Sequence, residues 1–295
     1  MNHITTSHQM MTVIREHHRL TASLMRSSYN LSYSDLTVLT TLLEHSEPIP
    51  TSWLCDYLML ERKTVWNILL KLEDRQLITK EASAADGRTM LLCLSDAGRN
   101  MAEQTNKDLA ELIHNRFLTN LQDEEFFEFM RLSSKEGCSI LRGHPMSELS
   151  EITDQNHFFG SSHLLLWRTL LHRWKKAVHP ANLSLSAYRI LNFLGREKEM
   201  TPSLLADTLR LPRSNTSVYV RQLTQENLAH EAPNAVDERQ KNISLTKKGA
   251  KKLVQLNARI DAATEEAHRA LSRNGQLIVD AWYLRMYVNL SQGSN

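Results

Sequence analysis

Residues Asp86–Gly98 read DGRTMLLCLSDAG, and Asp237–Gly249, 151 positions further along a chain of 295, read DERQKNISLTKKG. The same shift carries Leu54 onto Leu205, Asp56 onto Asp207, Leu58 onto Leu209, Arg62 onto Arg213, Leu72 onto Leu223 and Leu77 onto Leu228. Nearer the N-terminus the shift becomes 152, and Asn30-Leu31-Ser32 falls on Asn182-Leu183-Ser184. One residue is missing from the second copy, between LEHSEPIP and GREKEMTP. A fixed period held over about 70 residues marks a duplicated structural unit, and it constrains the fold more than any single motif does. The expected organisation is a first domain over 1–143, a polar linker over 144–160 and a second domain over 161–295. About 145 residues per copy is an ordinary domain size.

Within a copy the pattern is mostly helical. Only 9 Gly and 7 Pro occur in the chain, which leaves few turn formers. Helix-like segments open the copies at about 9–26 and 162–178. A short helix follows, with Leu36, Leu39, Leu42 and Leu43 on one face in copy one. PTSWLCDYLML and TPSLLADTLRL come next, and Thr201 before Pro202 is a helix-start signal. After a break at Glu61 or Pro212 a longer helix is expected. Its buried stripe is Val65, Ile68, Leu69 and Leu72 in copy one, and Thr216, Tyr219, Val220 and Leu223 in copy two. LITKE and MLLCLS read as paired strands, followed by long helical segments at 96–118 and 247–271 and closing helices at 123–141 and 274–290. The fold class is therefore mainly α with small β-hairpins, two winged helix–turn–helix units in tandem.

Each half resembles the MarR (multiple antibiotic resistance regulator) family of bacterial and archaeal transcription regulators. The resemblance is carried by Leu31-Ser32 to Leu39, the helix pair ending at Leu72 and Leu77, and Asp86-x-Arg88 with Leu94-Ser95 and Gly98. It recurs at Leu183-Ser184 to Leu191, Leu223, Leu228, and Asp237-x-Arg239 with Leu245-Thr246 and Gly249. It implies a cytoplasmic regulator that binds a double-stranded DNA operator. It also implies dimer-forming first and last helices, here supplied by one chain as a pseudo-dimer in which 9–28 and 96–141 pack against 162–180 and 247–290. A homodimer of the tandem chain carrying four lobes is the alternative, as is a winged-helix protein-interaction module.

The resemblance places Arg88 and Arg239 in the minor groove, where a narrow groove has enhanced negative potential. Asp86 and Asp237 brace them. On the reading helices, Arg62, Lys63, Trp66, Asn67 and Lys71 form the outer face of copy one, and Arg213, Ser214, Ser217, Val218 and Arg221 that of copy two. Arg pairs with guanine and Asn with adenine in the major groove. Over 50–100 seven Lys/Arg meet seven Asp/Glu, whereas over 201–251 eight meet five, so the second lobe is expected to hold phosphate more strongly. Lys241 adds a cation to the second wing. The family also implies a small aromatic or phenolic effector. The candidate lining is Arg15, His18 and Trp53 in copy one, and Trp167, His172 and Arg173 in copy two, with Arg or His for a carboxylate and Trp for the ring.

Other chemistries find little support. Adjacent His17 and His18 do not share a helix face, no C-x-x-C or H-x-x-x-H occurs, and no metal or cofactor is expected. Cys55, Cys93 and Cys138 form no close pair, which fits a reduced compartment. No phosphate loop, nucleophile elbow or carboxylate pair suggests an enzyme. No apolar run reaches the roughly 18 residues of a membrane span, and the N-terminus lacks the apolar region of a signal peptide.

Overall fold

The motif Asn-Leu-Ser does the same work in both copies. Asn30 and Asn182 sit in the left-handed region, at φ 53° and 57°, a conformation that asparagine tolerates better than most residues. Leu31 and Leu183 are buried. Ser32 and Ser184 then cap the next helix, each hydroxyl accepting a main-chain N–H three residues on, from Asp35 and Ala187, at 3.1 Å. In copy one Asp35 completes the box by accepting the Ser32 N–H at 2.7 Å.

The computed structural model describes residues 7–45, 47–84, 86–119, 128–129, 131–133, 135–136, 160–234, 240–269 and 271–292. The helix expected at 123–141 falls largely outside them, and the linker over 144–160 almost wholly so. Copy one runs α1 (His8–Tyr29), α2 (Tyr33–Leu43), β1 (Ile49–Pro50), α3 (Thr51–Leu58), α4 (Arg62–Asp74), β2 (Ile78–Ala82), β3 (Met90–Leu94) and α5 (Asp96–Phe117). Copy two runs α6 (Ser161–Val178), α7 (Leu185–Leu194), β4 (Glu199–Met200), α8 (Pro202–Leu209), α9 (Arg213–Gln225), β5 (Ala229–Pro233), β6 (Lys241–Leu245), α10 (Lys247–His268) and α11 (Arg273–Gln292). Each hairpin is the larger part of a three-stranded antiparallel sheet, ordered β1-β3-β2 and β4-β6-β5. The third strand in each has two residues and was not expected. Ile49 pairs with Leu92, and Glu199 with Ser244.

Compact packing does not follow the two halves of the sequence. One unit takes Met1–Glu16 and Thr169–His268. It holds the second winged helix, the start of α1 and most of α6, whose Trp174 indole donates to Thr264 of α10 at 2.9 Å. The other takes His17–Arg168 and Arg269–Asn295, with the first winged helix, the rest of α1, the start of α6 and α11. In it Trp167 donates to the Tyr283 hydroxyl at 3.1 Å, and Asn289 of α11 donates to the Phe117 carbonyl at the end of α5 at 2.9 Å.

Within each unit an arginine from the other copy's first helix, or one bridged to that helix, meets the end of the first helix of the helix–turn–helix. Arg168 of α6 donates to the Leu58 carbonyl at the end of α3. Arg15 of α1 donates to the Arg210 carbonyl at 3.0 Å, just past α8. Buried Arg189 joins Thr12 of α1, at 2.7 Å, to the Leu209 carbonyl, at 2.9 Å. Cations suit these positions because the last carbonyls of a helix lack intrahelical donors and carry the negative end of its dipole. The start of α6 has the complementary arrangement. The Glu44 carboxylate accepts from the Ser161 N–H, at 2.6 Å, and from its hydroxyl, and that hydroxyl also lies 2.7 Å from the Tyr57 hydroxyl. Burial pushes the Glu44 carboxyl up to about 7, against the opposing pull of the Ser161 donors.

The glycine that ends each motif has a steric cause. A Cβ on Gly98 would stand 1.7 Å from the Leu77 carbonyl oxygen, and on Gly249 1.9 Å from that of Leu228. Ser95 stitches the junction: its N–H donates to the Leu77 carbonyl, and its hydroxyl donates to Gln76 at 2.6 Å and accepts from Gly98 at 2.9 Å. Thr246 repeats all three bonds, with Leu228, Asn227 and Gly249. Gly98→Ala and Gly249→Ala should each destabilise the fold by about 3 kcal/mol in chemical denaturation, because the overpacking outweighs the ~1 kcal/mol of helix propensity that alanine gains. Unchanged or raised stability would show that the junction has slack.

Candidate nucleic-acid interface

The reading helices α4 and α9 lie in their lobes on the expected apolar stripes. Val65, Ile68, Leu69 and Leu72 are buried in the first, and Thr216, Val220 and Leu223 in the second, with Tyr219 half-buried at the edge. The opposite faces are exposed: Arg62, Lys63, Trp66, Asn67 and Lys71 on α4, and Arg213, Ser214, Ser217, Val218 and Arg221 on α9. Each helix enters after a left-handed residue, Met59 at φ 49° and Arg210 at φ 49°, so the turn of the helix–turn–helix has the same shape twice. Each is followed by another, Gln76 at φ 55° and Asn227 at φ 57°, which turns the chain into the wing.

The exposed residues are held in different ways. Arg62, Lys63, Asn67 and Arg221 make no hydrogen bond or ion pair with other described residues and present their donors outward. Arg213 lies 3.6 Å from the Asp207 carboxylate, an exposed contact worth little. The Ser217 hydroxyl donates back along its own helix to the Arg213 carbonyl at 3.2 Å. Lys71 has a task the sequence did not suggest. Its ammonium sits 2.5 Å from the carboxylate of Asp35, whose side chain is only 2% exposed, tying the reading helix to the cap of α2. Copy two replaces the pair with Gln222, which donates to the Asn182 carbonyl at 2.8 Å. Trp66 is 49% exposed, with the Lys80 ammonium 4.8 Å from its ring centroid. Lys80 in turn meets Glu73 at 2.5 Å.

Arg88 stands exposed at the turn between β2 and β3. Asp86 shapes that turn through the main chain: its carboxylate accepts the Arg88 N–H at 3.0 Å and the Thr89 hydroxyl at 3.1 Å, and its carbonyl accepts the Thr89 N–H at 2.8 Å. The brace therefore acts on the backbone beneath Arg88. Asp237 and Arg239 lie outside the described residues. Lys241 at the base of the second wing is paired with Glu231 at 2.7 Å and stays mostly exposed.

The six candidate pocket residues are divided between the units. Arg15, His172 and Arg173 belong to one, and His18, Trp53 and Trp167 to the other. Arg15 holds the Arg210 carbonyl. His18 stacks on Tyr33, and Trp53 on Tyr57 at 4.8 Å with His45 edge-on. Trp167 is core, with His17 edge-on at 4.1 Å. His172 is exposed and Arg173 half-buried. Burial holds the His17 imidazole well below its ordinary pKa and His163 at about 4, which keeps both neutral in the core. Burial also pushes the Cys55 and Cys93 thiols up, away from the reactive thiolate. No group of three or more His, Cys, Asp or Glu among the described residues could hold a metal ion, and no described helix is long and apolar enough to cross a membrane.

Comparison with known families falls on both lobes. The model of the MarR family matches residues 181–240, and that of the transcriptional regulator SarA/Rot matches residues 21–105. The two lobes are thus similar to winged-helix regulators, the second to the MarR family and the first to SarA/Rot. Among solved structures it is similar to AbsC, a MarR family transcriptional regulator from Streptomyces coelicolor, at 24% identity over 41% of this chain and 83% of that one, with a TM-score of 0.38. It is similar to the transcriptional regulator SlyA at 17% identity over 43% and 89%, with a TM-score of 0.40. It is similar to NadR in complex with 4-hydroxyphenylacetate at 18% over 41% and 85%, with a TM-score of 0.38. Comparison with curated proteins returned no match.

Several residues of the MarR-type lobes were not legible in advance. Lys80, Asp35, Arg168 and Arg189 act through partners in other elements, and Leu70 is an exposed apolar residue on α4 that the sequence reading assigned to neither face. Lys71→Ala should cost about 1–3 kcal/mol of stability by leaving the buried Asp35 carboxylate unpaired, whereas Lys63→Ala should leave stability within about 0.5 kcal/mol of the parent. Equal thermal melting of the two variants would remove the structural role given to Lys71.

Proposed function

We propose that this chain is a DNA-binding transcription regulator whose two unequal lobes read one pseudo-palindromic operator. The observation that carries this reading is the repeated reading helix. In both copies an apolar stripe anchors it, the opposite face stays exposed, and a wing follows a hydrogen-bonded serine or threonine junction. In a winged unit of this kind the second helix of the helix–turn–helix enters the major groove and the wing reaches the backbone or the minor groove. Arg62, Lys63, Trp66, Asn67 and Arg88 would serve the first half-site, with Arg213, Ser214, Ser217, Arg221, Arg239 and Lys241 serving the second. Lys71 borders the first set while holding Asp35.

One chain is proposed to be sufficient. Each compact unit already contains first-helix residues of the opposite copy, which a two-chain relative would have to obtain from its partner. The four-lobed alternative has one specific support: Leu277, Ala281, Leu284 and Val288 lie exposed along α11 at alternating spacings of four and three, the spacing of a two-helix seam. The regulator is proposed to act as a cytoplasmic repressor that releases DNA on binding a small aromatic or phenolic acid, with Trp53 on the half-exposed aromatic side of the first lobe. DNA footprinting upstream of its own gene, repeated with 4-hydroxyphenylacetate and related acids, tests the operator and the effector together.

Arg88→Ala and Arg239→Ala should each weaken operator binding about tenfold, ~1.4 kcal/mol, and both together should reduce the salt dependence. Binding untouched by the double change would sink the DNA reading. Light scattering of the operator complex should give the mass of one chain with one duplex, and two chains as the only active species would overturn the single-chain arrangement.

A further inference from the structure

The reading face of the first lobe carries two apolar side chains where a groove-facing helix usually carries polar ones. Trp66 is 49% exposed and Leu70 45%, and they stand one turn apart on α4. Neither belongs to the core, because Val65, Ile68, Leu69 and Leu72 fill the opposite stripe. At the repeat-equivalent positions the second lobe has Ser217 and Arg221. The exposed tryptophan is also held in place. Lys80 reaches from β2 over its ring, 4.8 Å from the centroid, while its own charge is met by Glu73 at 2.5 Å. With its side chain only 9% exposed, Lys80 is a support beneath the indole and is poorly placed to reach phosphate. A large aromatic fixed on the outer face loses little freedom on binding, and it gains by covering apolar surface.

Within the major groove the apolar group on a base edge is the thymine 5-methyl. Asn67, beside Trp66 on the same face, has the amide geometry that pairs with adenine. All three side chains therefore favour A·T pairs. The lobe's charge balance of zero over 50–100, against an excess of three cations over 201–251, leaves it more dependent on base contacts than its counterpart. Resting on the DNA-binding reading above, we propose that Trp66 and Leu70 recognise thymine methyl groups, so that the first lobe takes a thymine-rich half-site while Arg221 directs the second lobe toward a guanine.

The test uses the full-length chain and duplexes it selects from a randomised library. Replacing thymine by deoxyuridine removes only the methyl group. In one half-site of the selected duplex this exchange should weaken binding about fourfold per contacted methyl, and in the other, where α9 offers only the exposed apolar side chain of Val218, by no more than one such step. The penalty should vanish in Trp66→Ser/Leu70→Arg, which copies the second lobe and changes only exposed positions. Selected duplexes lacking a thymine-rich half-site, or unchanged affinity for the deoxyuridine duplex, would overturn the inference while leaving DNA binding intact, and would assign the Trp66–Leu70 face to a protein partner. Failure to select any duplex would instead overturn the DNA-binding reading on which the inference rests.

Discussion

The junction of Leu77, Ser95 and Gly98, repeated as Leu228, Thr246 and Gly249, decides where every candidate DNA contact can stand. Three elements meet there with no side chain between them: the turn after the reading helix, the end of the wing's inner strand, and the first turn of the long helix. A hydroxyl residue supplies three hydrogen bonds and glycine supplies the space. Packing this close transmits displacement, since interiors at crystal-like density have little room to absorb it. A shift of α5 or α10 must therefore carry its reading helix and wing along as one piece.

Electrostatics sets the other end of each helix–turn–helix. The carbonyls at the ends of α3 and α8 are met by Arg168, Arg189 and Arg15, two of them on the first helix of the opposite copy. The unit holding Arg168 adds the reverse pairing, a carboxylate of α2's C-cap, Glu44, on the N-terminus of α6. Such contacts place charge where helix dipoles favour it and leave the outer face of the reading helix clear for a ligand.

What the sequence made legible was periodic or local. The repeat, the Asn-Leu-Ser starts, the buried stripes of α4 and α9 and the Asp86 turn all depend on residues within a few positions of one another, or on copying. The two-residue strands β1 and β4 escaped because so short a run has no period. Lys71 stands on the outer face as expected, but its tie to Asp35 was not legible because the two lie 36 positions apart. Trp66 lies on the outer face as expected, but its support by Lys80 and Glu73 joins two elements that no local pattern links. The candidate pocket suffered most: aromatic and basic residues on first helices are as useful to a core as to a ligand, and Trp167 belongs to the core. Arg239 and Asp237 stand on the repeat alone.

Interleaving of the two copies has a consequence for abundance. In an arrangement of two separate chains, a unit that borrows a helix from its partner is only as stable as the protomer concentration permits. Here the borrowed helix is tethered, and its effective concentration is fixed by chain length at levels far above those of a scarce regulator. Duplication thus frees the fold from dilution. It also frees each lobe to diverge, because a substitution in one reading helix is no longer imposed on the other. A few molecules per cell would suffice to keep each unit assembled.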